Sequence, residues 1–131
     1  MPSIFSRIVA GEIPSHKIAE NEQYLAFLDV NPLVEGHTLV IPKKEIDYLF
    51  DLDDELYSGL MQFAKRTASA IEKAISCKRI GIAVIGLEVP HAHVHLIPLN
   101  KMADINFSMP KMNPTQGELA ATAEKIRKYI S

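Results

Sequence analysis

The sequence predicts an α+β domain: a five-stranded, mostly antiparallel sheet with one long helix and a C-terminal helix. Three observations carry this. Five short apolar or β-branched segments are bounded by Gly, Pro and Asn turn signals. One long helical repeat separates the third segment from the fourth. No regular strand–helix–strand alternation, the mark of a parallel sheet, runs through the chain. A length of 131 residues suits one compact domain spanning 1–131.

Composition excludes several function classes. A formal net charge of −2 speaks against a basic surface that grips nucleic acid. With 47% hydrophobic and 23% charged residues, the chain has the make-up of a folded protein rather than a disordered one. The first residues carry no leader-like apolar stretch and no apolar run reaches membrane-spanning length, so no membrane partner is expected. The lone Cys77 can close no internal disulfide and excludes a multi-cysteine metal site. The expected setting is reduced, soluble and cytoplasmic.

Ile4, Phe5, Ile8 and Val9 recur at helical spacing and predict a short amphipathic helix between Ile4 and Gly11, ended by Ile13-Pro14. Lys17–Glu20 and Tyr24–Asp29 read as strands about a turn at Glu20-Asn21-Glu22. Asn31-Pro32, Gly36 and Pro42 bracket Thr38–Ile41, short enough and β-branched enough for a buried strand. From Asp51 to about Ile75, Leu52, Leu56, Leu60, Phe63, Thr67, Ile71 and Ile75 form one helical stripe, with Asp51, Asp53, Asp54 and Glu55 at the positive end of its dipole. Ile80–Ile85 and Val89–Leu99 read as two more strands linked tightly through Gly86. Lys101–Pro114 has no period and reads as an ordered loop; Thr115-Gln116-Gly117-Glu118 is a capping box opening a helix with Leu119, Ala123, Ile126 and Ile130 on one stripe. The long helix is expected to cover one sheet face, leaving the histidine-bearing strand to present its other face to solvent or ligand.

Three of the five histidines fall within Pro90-His91-Ala92-His93-Val94-His95-Leu96-Ile97-Pro98. On a strand, His91, His93 and His95 would share one face about 6.6 Å apart, with Ala92, Val94 and Leu96 facing the core. Charging three such imidazoles together is costly, which favours neutral or singly protonated chemistry. Three readings are open on these residues: a polar strand face, a metal site, or nucleophilic chemistry at phosphorus. For metal, Glu88, Asp104 and His37 are the only evident further ligands, and none has a diagnostic spacing. For phosphorus, an imidazole nitrogen can attack while a neighbouring imidazole N–H holds an oxygen; no serine elbow or phosphate-binding G-x-x-x-x-G-K-[ST] loop offers an alternative.

His91-Ala92-His93-Val94-His95-Leu96-Ile97 resembles the H-x-H-x-H-apolar-apolar signature of the histidine-triad (HIT) nucleotide-binding family, in its Hint-like branch. Ile4-Phe5 to Ile8, Gly11-Glu12-Ile13-Pro14, Leu25–Val30 and Gly36–Lys44 resemble that branch in order and spacing. The resemblance implies a homodimer whose two five-stranded sheets join across a twofold axis. It also implies a purine nucleotide ligand, no cofactor, and hydrolysis of a bond from an α-phosphate to an amine, acyl or phosphate group. By the same resemblance His93 is the nucleophile that forms a nucleotidyl-histidine, His95 bonds a phosphate oxygen, and His91 orients His93 through its backbone carbonyl. His37 completes the polar network from a neighbouring strand. Asp29 accepts from the ribose hydroxyls, and Ile4, Phe5, Ile8, Phe27 and Val30 wall the base pocket. Backbone N–H groups around Gly86, Leu87, Glu88 and Val89 cradle the phosphate.

The chain departs from the family pattern in two places. Family members usually carry Gly-Gln before the triad, where this chain has Gly86-Leu87 and then Glu88; Leu87 donates no hydrogen bond and Glu88 adds negative charge. Zinc-binding relatives carry C-x-x-C near the start and a His after the Lys-Lys pair. Here those places hold Ser3, Ser6 and Glu45, a poor set for tight zinc. Two alternatives stand beside this reading: a dinucleoside polyphosphate hydrolase, against which the altered Gly86-Leu87-Glu88 segment weighs, and a nucleotide-binding or interaction module with little turnover, which the missing Gln favours.

Overall fold

The computed structural model describes residues 2–130. In chain order it contains α1 (Ile4–Val9), β1 (Lys17–Glu20), β2 (Tyr24–Leu28), β3 (Thr38–Pro42), α2 (Asp54–Ala74), β4 (Arg79–Ala83), β5 (Val94–Leu99) and α3 (Gln116–Arg127), with short 3₁₀ turns at Leu49–Asp51 and Met102–Ile105. The strands form one five-stranded sheet in the order β1-β2-β3-β5-β4. Every neighbouring pair is antiparallel.

Both faces of β2 and β3 are covered, which explains why these strands are buried at every position instead of alternating. Ala26, Leu28, Val40, Val94 and Leu96 point towards α2 and α3, where they meet Leu60, Ala64, Ile71, Leu119, Ala123 and Ile126. Leu25, Phe27, Leu39 and Ile41 point the other way, against Phe5 and Ile8 of α1. The face that bears His95 is therefore not open: α1 lies over its β2–β3 half, and His93 and His95 are 7% and 8% exposed.

Helix ends follow their caps. Thr115 and Glu118 form the capping box that opens α3. Asp53 accepts from Leu56 N–H and starts α2 at Asp54, so Asp51 belongs to a 3₁₀ turn and the helix begins three residues later than the periodicity suggests. Ile130 lies beyond the end of α3, and Thr122 takes a buried place on its stripe.

The largest difference from expectation lies before β5. Strand β4 stops at Ala83 and β5 starts at Val94, so residues 84–93 form a loop rather than a tight link through Gly86. The reason is where the main-chain groups go: His91 N–H bonds to the carbonyl of Val89, and Ala92 N–H to that of Ile46. These donors are spent before the ladder with β3 opens at Val40 opposite Val94. His91 and His93 thus precede the strand, and only His95 stands within it.

Gly59, inside α2, faces the ring of Tyr24, whose hydroxyl bonds to the carbonyl of Leu56 at 3.1 Å. A β-carbon there would overlap that hydroxyl. Gly-to-Ala normally stabilises a helix interior by about 1 kcal/mol. Here overpacking is expected to win, so Gly59→Ala lowers stability by a net ~1–2 kcal/mol in urea unfolding. Tyr24→Phe in the same background is expected to recover part of the loss; a stabilised Gly59→Ala protein would contradict this contact.

Candidate active site

The site sits where the loop before β5, the entry to β3 and helix α1 converge. Gly36, at φ +92°, turns the chain into β3 and brings His37 beside His95. A β-carbon at Gly36 would also press on Ile75 and Pro98, at 3.0 and 3.2 Å. The rings of His93 and His95 lie 5.0 Å apart between centroids. Phe5 packs edge-on against His93 at 5.0 Å, His91 at 5.9 Å and Phe27 at 5.6 Å.

Backbone partners assign each imidazole its tautomer, because an N–H can only donate and a carbonyl can only accept. Leu33 N–H donates to His37 Nδ1 at 3.1 Å, so His37 carries its proton on Nε2. That Nε2–H donates to His95 Nδ1 at 2.9 Å, which leaves the His95 proton on Nε2. His93 Nδ1–H donates to the His91 carbonyl at 2.7 Å, which leaves a lone pair on His93 Nε2. His91 Nε2–H donates to the carbonyl of Pro42 at 2.8 Å, and its Nδ1 accepts from the Ser3 hydroxyl at 2.8 Å. Two adjacent imidazoles therefore offer opposite functions: His93 a nucleophilic nitrogen, His95 an N–H donor.

Electrostatics keep the donors neutral. Burial, with help from the nearby His95 and Lys111, pushes His37 down to about 3. Burial and then His93 push His95 down to about 4. His91 is lowered by burial, against the opposing pull of the Pro42 carbonyl and Glu45. Asp29 is raised, mainly by burial, against a hydrogen bond from Asn31 N–H and the charge of Lys111.

Asp29 Oδ1 accepts from Asn31 N–H at 2.9 Å, and Oδ2 stands 3.8 Å from His37 Nε2. Asp29, His37 and His95 each place a potential metal-ligating atom within 4.8 Å of the others. Coordination there would cost the hydrogen bond that His37 and His95 make to one another, and it would use a different set from Glu88, Asp104 and His37. Of the apolar residues, Phe5, Ile8 and Phe27 are buried, while Ile4 and Val30 are half-exposed. Gly86 lines a cavity of about 350 Å³ together with His93, Ala92, Tyr48 and Phe50. Val89 packs on the Phe5 cluster. Leu87 is 88% exposed, and Glu88 is exposed too, so neither side chain joins the histidines.

Sequence reasoning missed three contributors. Phe107, from the loop after β5, packs edge-on against His95 at 4.8 Å and His37 at 6.1 Å. An aromatic residue in an aperiodic Met- and Pro-rich stretch was the only sign of it. The Leu33 amide, which sets the tautomers of His37 and His95, has no side-chain signature at all. Ser3, Ser6 and Glu45, which stand where zinc-binding relatives carry their ligands, come together beside His91.

Residues 10–102 match the family model for the HIT domain. The chain belongs to the HIT family. Among HIT relatives, it is 41% identical over 96 residues to the adenosine 5′-monophosphoramidase of Saccharomyces cerevisiae, covering 72% of this chain and 61% of that protein. It is 33% identical over 132 residues to the adenosine 5′-monophosphoramidase of Schizosaccharomyces pombe, covering 99% of each chain. The crystal structure of a HIT-like protein from Bartonella henselae superposes with a TM-score of 0.84 at 30% identity, covering 97% of this chain and 95% of that one. The five-stranded antiparallel sheet with its flanking helices is thus the HIT fold. Among the described residues, no helix is long and apolar enough to cross a membrane.

Proposed function

We propose that this HIT protein is a metal-independent purine nucleotide hydrolase acting on phosphoramidate or adenylate bonds at the α-phosphate. The observation that carries the reading is the pair of opposed tautomers at His93 and His95. His93 Nε2 attacks the α-phosphorus, an N–P bond forms, and the bond to the leaving amine breaks; the amine departs with its electron pair and takes a proton from solvent. Water then attacks the same phosphorus and gives up a proton to solvent, the N–P bond breaks with its pair returning to Nε2, and the nucleoside monophosphate is released. His95 Nε2–H donates to a phosphate oxygen whose charge grows during attack, and His37 holds His95 in place for it. His91 acts through its carbonyl.

Asp29 has an oxygen left for the ribose hydroxyls. Ile4, Phe5, Ile8, Phe27 and Val30 wall the base, and backbone N–H groups from Gly86 to Val89 approach the phosphate. The names of the two yeast relatives support the substrate class. The solvent-facing Leu87 and Glu88 offer no cation to a long polyphosphate leaving group, which favours phosphoramidates over dinucleoside polyphosphates. The apolar Leu87 also supports the second reading, a nucleotide-binding module with little turnover. Incubation with adenosine 5′-phosphoramidate in the presence of a chelator is expected to release AMP. Tight AMP binding without product would favour the binding module, and loss of activity on chelation would overturn metal independence.

The working unit proposed is a homodimer in a reducing, cytoplasmic setting. Strand β4 ends the sheet, and Ile82, Val84, Ile85 and Leu87 are exposed on it or just after it. An unpaired strand edge with an apolar margin invites a second copy. Sedimentation is expected to give twice the monomer mass and Ile82→Lys to shift the equilibrium towards monomer; a wild-type monomer at micromolar concentration would refute this.

A further inference from the structure

Ser3, Ser6 and Glu45 have no part in the chemistry above, yet they form a hydrogen-bonded cluster that touches a triad histidine. Glu45 Oε1 accepts from Ser3 N–H at 2.6 Å and from the Ser6 hydroxyl at 2.7 Å. The Ser3 hydroxyl accepts from Ser6 N–H at 3.0 Å and donates to His91 Nδ1 at 2.8 Å. Capping α1 requires only the acceptor half of that hydroxyl. Its donor half is aimed at a ring that is wholly buried. With Pro42 on its other nitrogen, that ring is bonded at both ends.

The cluster reaches His93 along two routes. The residue whose ring is clamped, His91, is also the one whose carbonyl accepts from His93 Nδ1–H. The helix that Ser3 caps carries Phe5, whose ring packs edge-on against His93. Glu45 ties the ends of both routes together through two short bonds from uncharged donors to a carboxylate, a strong class of hydrogen bond. Those bonds hold its carboxyl well below the usual range, at about 2.

We propose that Glu45 and Ser3 are positioning residues: through the Ser3–His91 hydrogen bond they hold the His91 carbonyl where it keeps the His93 proton on Nδ1 and Nε2 free to attack. The proposal rests on the reading of His93 as nucleophile. Its first test does not. Imidazole ¹⁵N spectra are expected to find His93 as a single Nδ1-protonated tautomer in the wild type, and as a mixture of tautomers in Ser3→Ala and Glu45→Ala. Ser3→Thr keeps the hydroxyl and is expected to restore the single tautomer. Glu45 is exposed, so its replacement leaves the core intact and Glu45→Ala provides a folded variant even where Ser3→Ala is unstable.

In turnover of adenosine 5′-phosphoramidate, both alanine variants are expected to lose about 10- to 100-fold in kcat, the range for a misplaced reacting group, with KM changed less than about twofold. Unchanged His93 spectra and unchanged kcat in Glu45→Ala would overturn the clamp. So would equal losses in kcat and in thermal stability that Ser3→Thr fails to repair, since that marks a fold effect alone. A wild-type protein without turnover would refute the hydrolase reading, while the spectra would still decide the clamp.

Discussion

His93→Ala is expected to lower the release of AMP from adenosine 5′-phosphoramidate by at least about 10³-fold, the largest effect of any single substitution in this site. Alanine removes the only triad nitrogen whose lone pair is left free by the hydrogen bonds of the site. His95 cannot substitute, because His37 Nε2–H already occupies its Nδ1 and its remaining nitrogen carries a proton. His91 cannot substitute either, because both of its ring nitrogens are engaged, by Ser3 and by Pro42. Affinity for AMP is expected to change far less than turnover, since Phe5, Phe27 and Asp29 remain. A His93→Ala protein with full activity would refute the covalent route.

Acid is expected to destabilise the protein steeply, and the histidine pair is the cause. His37 and His95 fall from an ordinary value of 6.5 to about 3 and about 4 in the folded chain. Above pH ~6.5 both are neutral whether the chain is folded or not, and their burial costs nothing in protonation. Below it the unfolded chain binds protons that the folded chain refuses, so stability falls with falling pH until the folded values are reached. Between pH 6.5 and 5 the pair together amounts to ~3 kcal/mol, because each group contributes at most about 1.4 kcal/mol per pH unit. Glu45, lowered from 4.5 to about 2, adds its loss only below that window, and Asp29, raised by burial, opposes it. Thermal unfolding at intervals across pH 5–6.5 should show at least this slope, since His91, also lowered by burial, adds to it in the same direction, and His37→Gln should reduce it by up to about half. A flat profile would mean that the two rings are not held neutral.

Much of this was legible in the sequence, for identifiable reasons. The long helix, the α3 capping box and α1 declare themselves through side chains at fixed spacing, and all three stand where the pattern places them to within a few residues. The strict H-x-H-x-H alternation suggested three histidines on one strand face. Only His95 is on a strand, because the amides of His91 and Ala92 bond to Val89 and Ile46 instead of a ladder. Alternation of side chains describes what a segment can do as a strand, and it is silent on where its amides find acceptors. Phe107, Leu33 and the Ser3–Glu45 contacts were hidden for a related cause. Each depends on chain segments far apart in sequence, or on main-chain groups that every residue possesses.

His93 and His95 are chemically the same residue two positions apart, yet one is an electron-pair donor and the other a proton donor. That difference is written in the main chain: a carbonyl facing one ring, and an amide at the head of the relay leading to the other. An amide hydrogen does not leave at ordinary pH, so the relay from Leu33 through His37 has a fixed polarity. No side-chain exchange within the triad would swap the two duties. An engineer wishing to move the free lone pair to His95 would have to rebuild the turn at Leu33 and leave every histidine where it is.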